Sequence, residues 1–202
     1  MLIHVRSAKN YYKTPGAREL AHRLKIGDKT AISVMASDMS KLIPNGSTLI
    51  PIPGRNGVAD TSLLLATEIS KHTNSVVVDL IKGVPRDSLY ILKKKDVEVD
   101  EKLFGFELTS QPNFQKIVLI DGVCDTGGTA LSAGKLFQHN VMLVTHSSHF
   151  EKGIGKLSFS EKIKPSLQAI SCSTLSLESW REARRFDQID EAEKAHSRIT
   201  SI

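Results

Sequence analysis

Within the stretch VLIDGVCDTGGTALSAGKLF, Val118 to Phe137, three apolar residues lead into a segment with two aspartates, a further valine, two threonines and a glycine pair. Gly127 and Gly128 allow the backbone to turn tightly and bring successive N–H groups together, and Thr126 and Thr129 add hydroxyl donors. A helix that starts at this turn points its positive end at the same spot. Such a loop suits a phosphate. Carboxylates are repelled by phosphate unless a cation or hydroxyls lie between them, so Asp121 and Asp125 are expected to face another part of the same ligand. A sugar phosphate meets both demands, with its phosphate in the loop and a diol on Asp121.

Residues of this kind must be held at the end of a strand, and the surrounding pattern supplies strands. STLIPIP (Ser47–Pro53), SVVVDLI (Ser75–Ile81), KIVLID (Lys116–Asp121) and NVMLVTH (Asn140–His146) are continuous apolar runs of the sort that form strands buried on both faces. Between them, helical spacing predicts a helix over Asp60–Lys71, and another over Ala17–Lys25 that stops at Gly27. Strands alternating with helices indicate an α/β fold, a mostly parallel central sheet flanked by helices. In such a sheet ligands bind beyond the carboxyl ends of the strands, where Asp121–Thr129 and GRNG (Gly54–Gly57) both fall.

The connection from the second to the third strand is longer than an ordinary link of about 2 to 6 residues, so residues 82–113 are expected to form a flexible loop or an accessory hairpin. Residues 176–199 carry Leu177, Trp180, Ala183, Phe186 and Ile189 at roughly one-turn spacing and predict an amphipathic C-terminal helix, a surface for a second copy or a partner.

The chain has 202 residues, 40% of them hydrophobic and 24% charged, the balance of one globular domain spanning 1–202. No apolar run reaches the length of a bilayer span, and the N-terminus lacks a signal core, so a cytoplasmic protein without membrane contact is expected. Cys124 and Cys172 give no disulfide framework, and no residues near them have metal-ligand spacing; no metal held by protein side chains is expected. His146 and His149 read as polar residues that end a strand rather than as a metal pair, and Cys124 as an inert filler. The net charge of +5 draws anions without distinguishing a metabolite from nucleic acid, and no recognition helix or aromatic RNA-binding signature accompanies it.

The VLIDGVCDTGGT stretch resembles the PRPP-binding motif of type I phosphoribosyltransferases (PRPP, 5-phosphoribosyl 1-diphosphate), in which an apolar strand ends in acidic residues and a short Thr/Gly-rich loop. Its DTGGT form is most similar to the 6-oxopurine branch. PIPGRNG resembles the family's pyrophosphate loop, and the resemblance covers roughly residues 47–146. It implies a type I phosphoribosyltransferase-like fold with a long flexible loop and a small hood. The activity it implies is transfer of ribose 5-phosphate from PRPP to a nitrogenous base such as a purine, with Mg²⁺ chelated by pyrophosphate and ribose oxygens. By the same resemblance Asp125, Thr126, Gly127, Gly128 and Thr129 hold the 5-phosphate, and Asp121 the ribose hydroxyls. Gly54, Arg55, Asn56 and Gly57 grip pyrophosphate, and Asp125 also takes a proton from the base. Residues 82–113 correspond to the family's closing loop, with Arg86, Lys93, Lys94 and Lys95 as its pyrophosphate contacts.

Two positions depart from the family pattern. Gly122 stands in place of the second acidic residue, and Ser148 and His149 stand where the 6-oxopurine enzymes carry a lysine. The first departure motivates an alternative, a PRPP- or nucleotide-binding regulator whose transfer is impaired or repurposed. On that alternative Gly122→Asp is expected to restore transfer.

Overall fold

The structure is a computed structural model that describes residues 2–95, 102–112, 114, 116–138, 141–149 and 171–176. Its centre is built from the apolar runs. Strands β1 (Leu2–Asn10), β2 (Thr48–Pro51), β3 (Val76–Val77), β6 (Ile117–Cys124) and β7 (Met142–Ser148) lie parallel in the order β3-β2-β6-β7-β1. Strand β8 (Ser171–Ser176) adds antiparallel to β1 at the edge. The chain is therefore an α/β protein with a mostly parallel central sheet. β6 pairs with β2 on one side and β7 on the other, and is covered on both faces, as its unbroken apolar start demands.

The two faces are covered differently. On one, α1 (Ala17–Lys25), α2 (Lys29–Ser40) and α3 (Asp60–Ser70) bring Leu24, Ile32, Met35, Met39, Leu65 and Ile69 onto Val118, Ile120 and Val144. On the other, α5 (Gly128–Gly134) brings Ala130, Leu131 and Ala133 onto Ile117, Leu119 and Leu143. Alternate residues of a strand face opposite sides. Thus α3, leaving β2, and α5, leaving β6, run on opposite faces, and the gap between the carboxyl ends of β2 and β6 is the switch point of the sheet.

β1 and α2 are elements that the apolar runs did not single out. Asp28 caps α2, its Oδ1 accepting from Ala31 N–H at 2.9 Å, and Arg23 holds the same carboxylate at 3.1 Å through both Nε and Nη2. SVVVDLI is not one buried strand. Only Val76 and Val77 join the main sheet, at its edge, where Val76 is 67% exposed. Ile81–Lys82 (β4) pairs instead with Glu107–Leu108 (β5) in a separate two-stranded sheet. Within 82–113 the described residues form this accessory hairpin together with α4 (Leu89–Lys94) and a 3-10 turn at Lys102–Phe104. It is rooted by Leu80, Ile81, Leu92 and Phe104, which are buried against the face of α5. The expected helix at 176–199 lies outside the described residues apart from Ser176, which belongs to β8.

β6 runs three residues beyond Asp121, so the parity of the strand decides what faces the site. Asp121 lies on the face of α5 and the hairpin, and Gly122 on the opposite one. A Cβ built on Gly122 meets Leu24 Cδ2 at 2.4 Å, with Met35 and Leu65 behind it. The space a side chain at 122 would take is filled by the Leu24 side chain of α1. A side chain at 122 enters the apolar layer rather than the site, so the missing acidic residue is not a lost ligand, and the expected rescue by Gly122→Asp is corrected on this ground. Overpacking by Gly122→Ala is expected to cost about 1 to 3 kcal/mol. Gly122→Asp, which buries a carboxylate with no polar partner, should cost about 3 kcal/mol or more. Urea unfolding measures both; an aspartate variant with the parent's midpoint would contradict the packing described.

Candidate functional site

Three segments meet at the switch point. The first is the turn after β2. Gly54 N–H donates to Val58 C=O (2.9 Å) and Gly57 N–H to Gly54 C=O (3.2 Å), closing GRNG into a compact turn. Asn56 faces inward to that turn: its Oδ1 accepts from Val58 N–H at 3.3 Å and its amide nitrogen donates to Asp60 in the first turn of α3. Ser62 Oγ donates to Ile52 C=O at 2.6 Å and ties α3 to the end of β2. Arg55 stays exposed at the tip.

The second segment is the root of the accessory hairpin, and glycine sets how near it comes. Gly57 has φ +83°, and a Cβ on it would lie 2.4 Å from the Gly83 carbonyl oxygen. The bare backbones instead join by Gly83 N–H to Gly57 C=O at 2.9 Å, and by Arg86 N–H to Arg55 C=O at 2.7 Å. These bonds aim Arg86. Its guanidinium sits 4.7 Å from the centre of the Phe104 ring, a cation–π contact that leaves the group charged while partial burial lowers its pKa.

The third segment is the end of β6. Burial pushes the Asp121 carboxyl up to about 6, against the opposing pull of the Gly122 and Val123 N–H groups and of the positive charges of Arg86 and Lys25. Asp121 and Arg86 thus form an electrostatic pair across the crevice, with Lys25 of α1 as a second positive neighbour. Cys124 is buried, and burial followed by the charges of Asp121 and Asp125 pushes its thiol well above the ordinary range. It is a protonated filler.

The turn itself is Asp125–Gly127. Gly127 adopts the left-handed conformation (φ 83°, ψ 0°) that begins α5, and the first helical bond runs from Leu131 N–H to Gly127 C=O at 2.9 Å. The amides of Gly128, Thr129 and Ala130 therefore precede the hydrogen-bonded ladder of the helix, which gives them no partner. Thr126 and Thr129 are half-buried at the turn, and Asp125 is exposed.

The structure brings Gly54–Gly57 to Arg86 by backbone bonds and Arg86 into electrostatic reach of Asp121, with Asp125–Thr129 following Asp121 directly at the end of β6. Of the expected lysines, Lys95 pairs with Asp87 at 2.8 Å, and the side chains of Lys93 and Lys94 lie outside the described residues. His146 and His149 diverge. His146 is buried with Nε2 3.7 Å from Asp38 of α2, and burial brings its imidazole down to about 4. His149 Nδ1 is 3.1 Å from Asp125 Oδ1. Tyr12, which packs on His149 with ring centres 4.4 Å apart, has no signal in its local sequence, because it arrives through the pairing of β1 with β7.

Among the described residues, no three His, Cys, Asp or Glu side chains group to hold a metal ion, and no helix is long and apolar enough to cross a membrane. A divalent cation here would have Asp121 as its anionic neighbour and would take most of its oxygens from a ligand.

The shifted Asp121 carboxyl has a readable consequence. Its native value near 6 lies above the ordinary 3.8, so between these two pH values the native state holds a proton that the unfolded chain has lost. The stability this provides is complete below 3.8 and is lost as pH rises through about 6. Relative to Asp121→Asn, the parent is therefore expected to lose stability from about pH 4 to 7 and to run level above that, as measured by urea midpoints. Parallel curves over the whole range would contradict the burial of this group.

No protein-family model, curated protein or solved structure matches the chain, so its function rests on the geometry of these strand ends.

Proposed function

We propose that the chain is a type I phosphoribosyltransferase-like enzyme that binds PRPP with Mg²⁺ and transfers ribose 5-phosphate to a nitrogenous base. The observation that carries this reading is the meeting, at one switch point, of a glycine turn that opens a helix, a half-buried aspartate, and a basic turn bonded to an arginine-bearing hairpin. A ligand with one phosphate, a diol and a second phosphate group uses all three. The 5-phosphate sits at Thr126–Thr129, where the amides ahead of α5 supply donors. The ribose diol meets Asp121. Pyrophosphate lies between Arg55 and Arg86, whose backbones are bonded to each other.

In transfer, the bond from the anomeric carbon to pyrophosphate breaks with its electron pair on the leaving group, and a ring nitrogen of the base forms the new bond. The proton released from that nitrogen goes to the Asp125 carboxylate. Mg²⁺, if carried in on ligand oxygens beside Asp121, would supply charge neutralisation at the pyrophosphate. Arg86, held against Phe104, stabilises the same charge from the protein side. The ionised form of Asp121 is needed to accept from the ribose hydroxyls, and Arg86 and Lys25 favour that form.

A regulator that binds the same ligand without transfer shares this pocket. Gly122 does not favour it, since that position faces Leu24. Turnover separates the two readings. Calorimetry is expected to detect PRPP binding in the presence of Mg²⁺, and Gly127→Val to abolish it while the fold survives. Asp125→Asn should retain PRPP binding and slow pyrophosphate release about 10²- to 10⁴-fold. Binding without release for any base would favour the regulator, and a folded Gly127→Val variant that binds PRPP as tightly as the parent would sink the phosphate assignment.

A further inference from the structure

Helix α1 sorts its charges by flank. Its inner face, Ala17, Ala21 and Leu24, is buried on the sheet. On one side of that face the charges neutralise one another: Arg23 lies 3.7 Å from Glu19 and reaches Asp28, the cap of α2, at 3.1 Å. On the other side stand Arg18, His22 and Lys25, at i, i+4 and i+7, within an arc of about 60° around the helix axis. All three are exposed, and among the described residues none of them makes an ion pair or a side-chain hydrogen bond. Lys25 acts electrostatically on Asp121, so the flank leads towards the crevice. A single exposed cation is ordinary surface. Three on one flank, with the acidic residues of the same helix and its following turn engaged on the other, set up a positive field along a line.

We propose that Arg18, His22 and Lys25 form a phosphate track for single-stranded nucleic acid, which lies along α1 with one end at the mouth of the crevice. This goes beyond the phosphoribosyl reading and does not rest on it. The rise from Arg18 to Lys25 is about 10 Å, enough for successive phosphates of one strand. Arg18 and Lys25 are charged donors, and the His22 ring carries an N–H whether it is neutral or charged, so the track needs no particular protonation state. A duplex offers phosphates on both sides of a groove, whereas α1 has unpaired cations on one flank only. An anionic membrane is not matched, because it takes up the apolar face of a helix, and that of α1 is buried. A protein partner needs an apolar centre to its contact, which this flank lacks.

The test follows the full chain by fluorescence anisotropy with labelled oligo(dT), a duplex of equal length and oligo-glutamate as probes. Oligo(dT) is expected to bind more tightly than the other two, and its log affinity to fall linearly as log salt rises. Arg18→Ala combined with Lys25→Ala removes two phosphate contacts and should flatten that slope by about 1.4. Arg18→Ala alone is expected to keep the parent's urea midpoint, since its side chain has no described partner to lose. Lys71→Ala, the same loss of charge beside Glu68 at the far end of α3, should leave the slope unchanged. A parent that does not bind oligo(dT), a double variant with the parent's slope, or a slope flattened equally by Lys71→Ala overturns the track. Duplex or oligo-glutamate bound as tightly as oligo(dT) overturns the assignment to single-stranded nucleic acid. If PRPP does not bind the parent, the phosphoribosyl reading fails, and the track is still decided by these slopes.

Discussion

Everything at the carboxyl edge of the sheet depends on α3 and α5 leaving their strands on opposite faces. Were both helices on one side, the turn after β2 and the turn after β6 would be roofed by the same layer and no crevice would open between them. The opposition follows from where the chain goes next. α3 carries it outward to β3, and α5 carries it the other way to β7, so right-handed crossovers must use opposite faces. The apolar parity of β6 fits this division, with Val118 and Ile120 under α3 and Ile117 and Leu119 under α5. The same parity sends Asp121 to the crevice and Gly122 against Leu24.

Two glycines then shape the opening. At Gly122 the absence of a side chain makes room for Leu24 of α1, the helix whose Lys25 acts electrostatically on Asp121. At Gly57 it lets the accessory hairpin dock on the GRNG turn, which delivers Arg86. Desolvation disfavours the Asp121 carboxylate, and the Gly122 and Val123 N–H groups, followed by these two cations, oppose it. Packing and charge are therefore linked: the glycines lie where the segments carrying Lys25 and Arg86 come close to the residue that would meet the sugar.

The strand and helix of each unit around the crevice were legible from the chain, because β2 with α3 and β6 with α5 each pair an apolar run with helical spacing and a glycine turn. Residues 54–57 and 121–129 could be placed at strand ends for the same reason. What misled was the valine run at 75–81, whose composition suits a buried strand although Val76 ends on an open edge and the chain turns away before Ile81. α2 carried its own signals, the Asp28 cap and the spacing of Ala31, Ile32, Met35, Ala36 and Met39, but small residues make that stripe faint. β1 alternates Ile3, Val5 and Ser7 inward, a pattern whose meaning depends on β7 lying beside it. Tyr12 and the direction of Gly122 required the register itself, since neither a pairing between distant strands nor the side to which a residue points is written in local spacing.

The central claim is that the turn after β6 and the turn after β2 hold two ends of one phosphorylated sugar. The most direct measurement is amide-resolved NMR of the full chain titrated with PRPP and Mg²⁺. The account predicts saturable shifts at Gly127, Gly128 and Thr129 together with Gly54–Gly57 and Arg86, all with one dissociation constant. Shifts confined to one of the two turns, or an unperturbed Gly127–Thr129 at saturating PRPP, would contradict it.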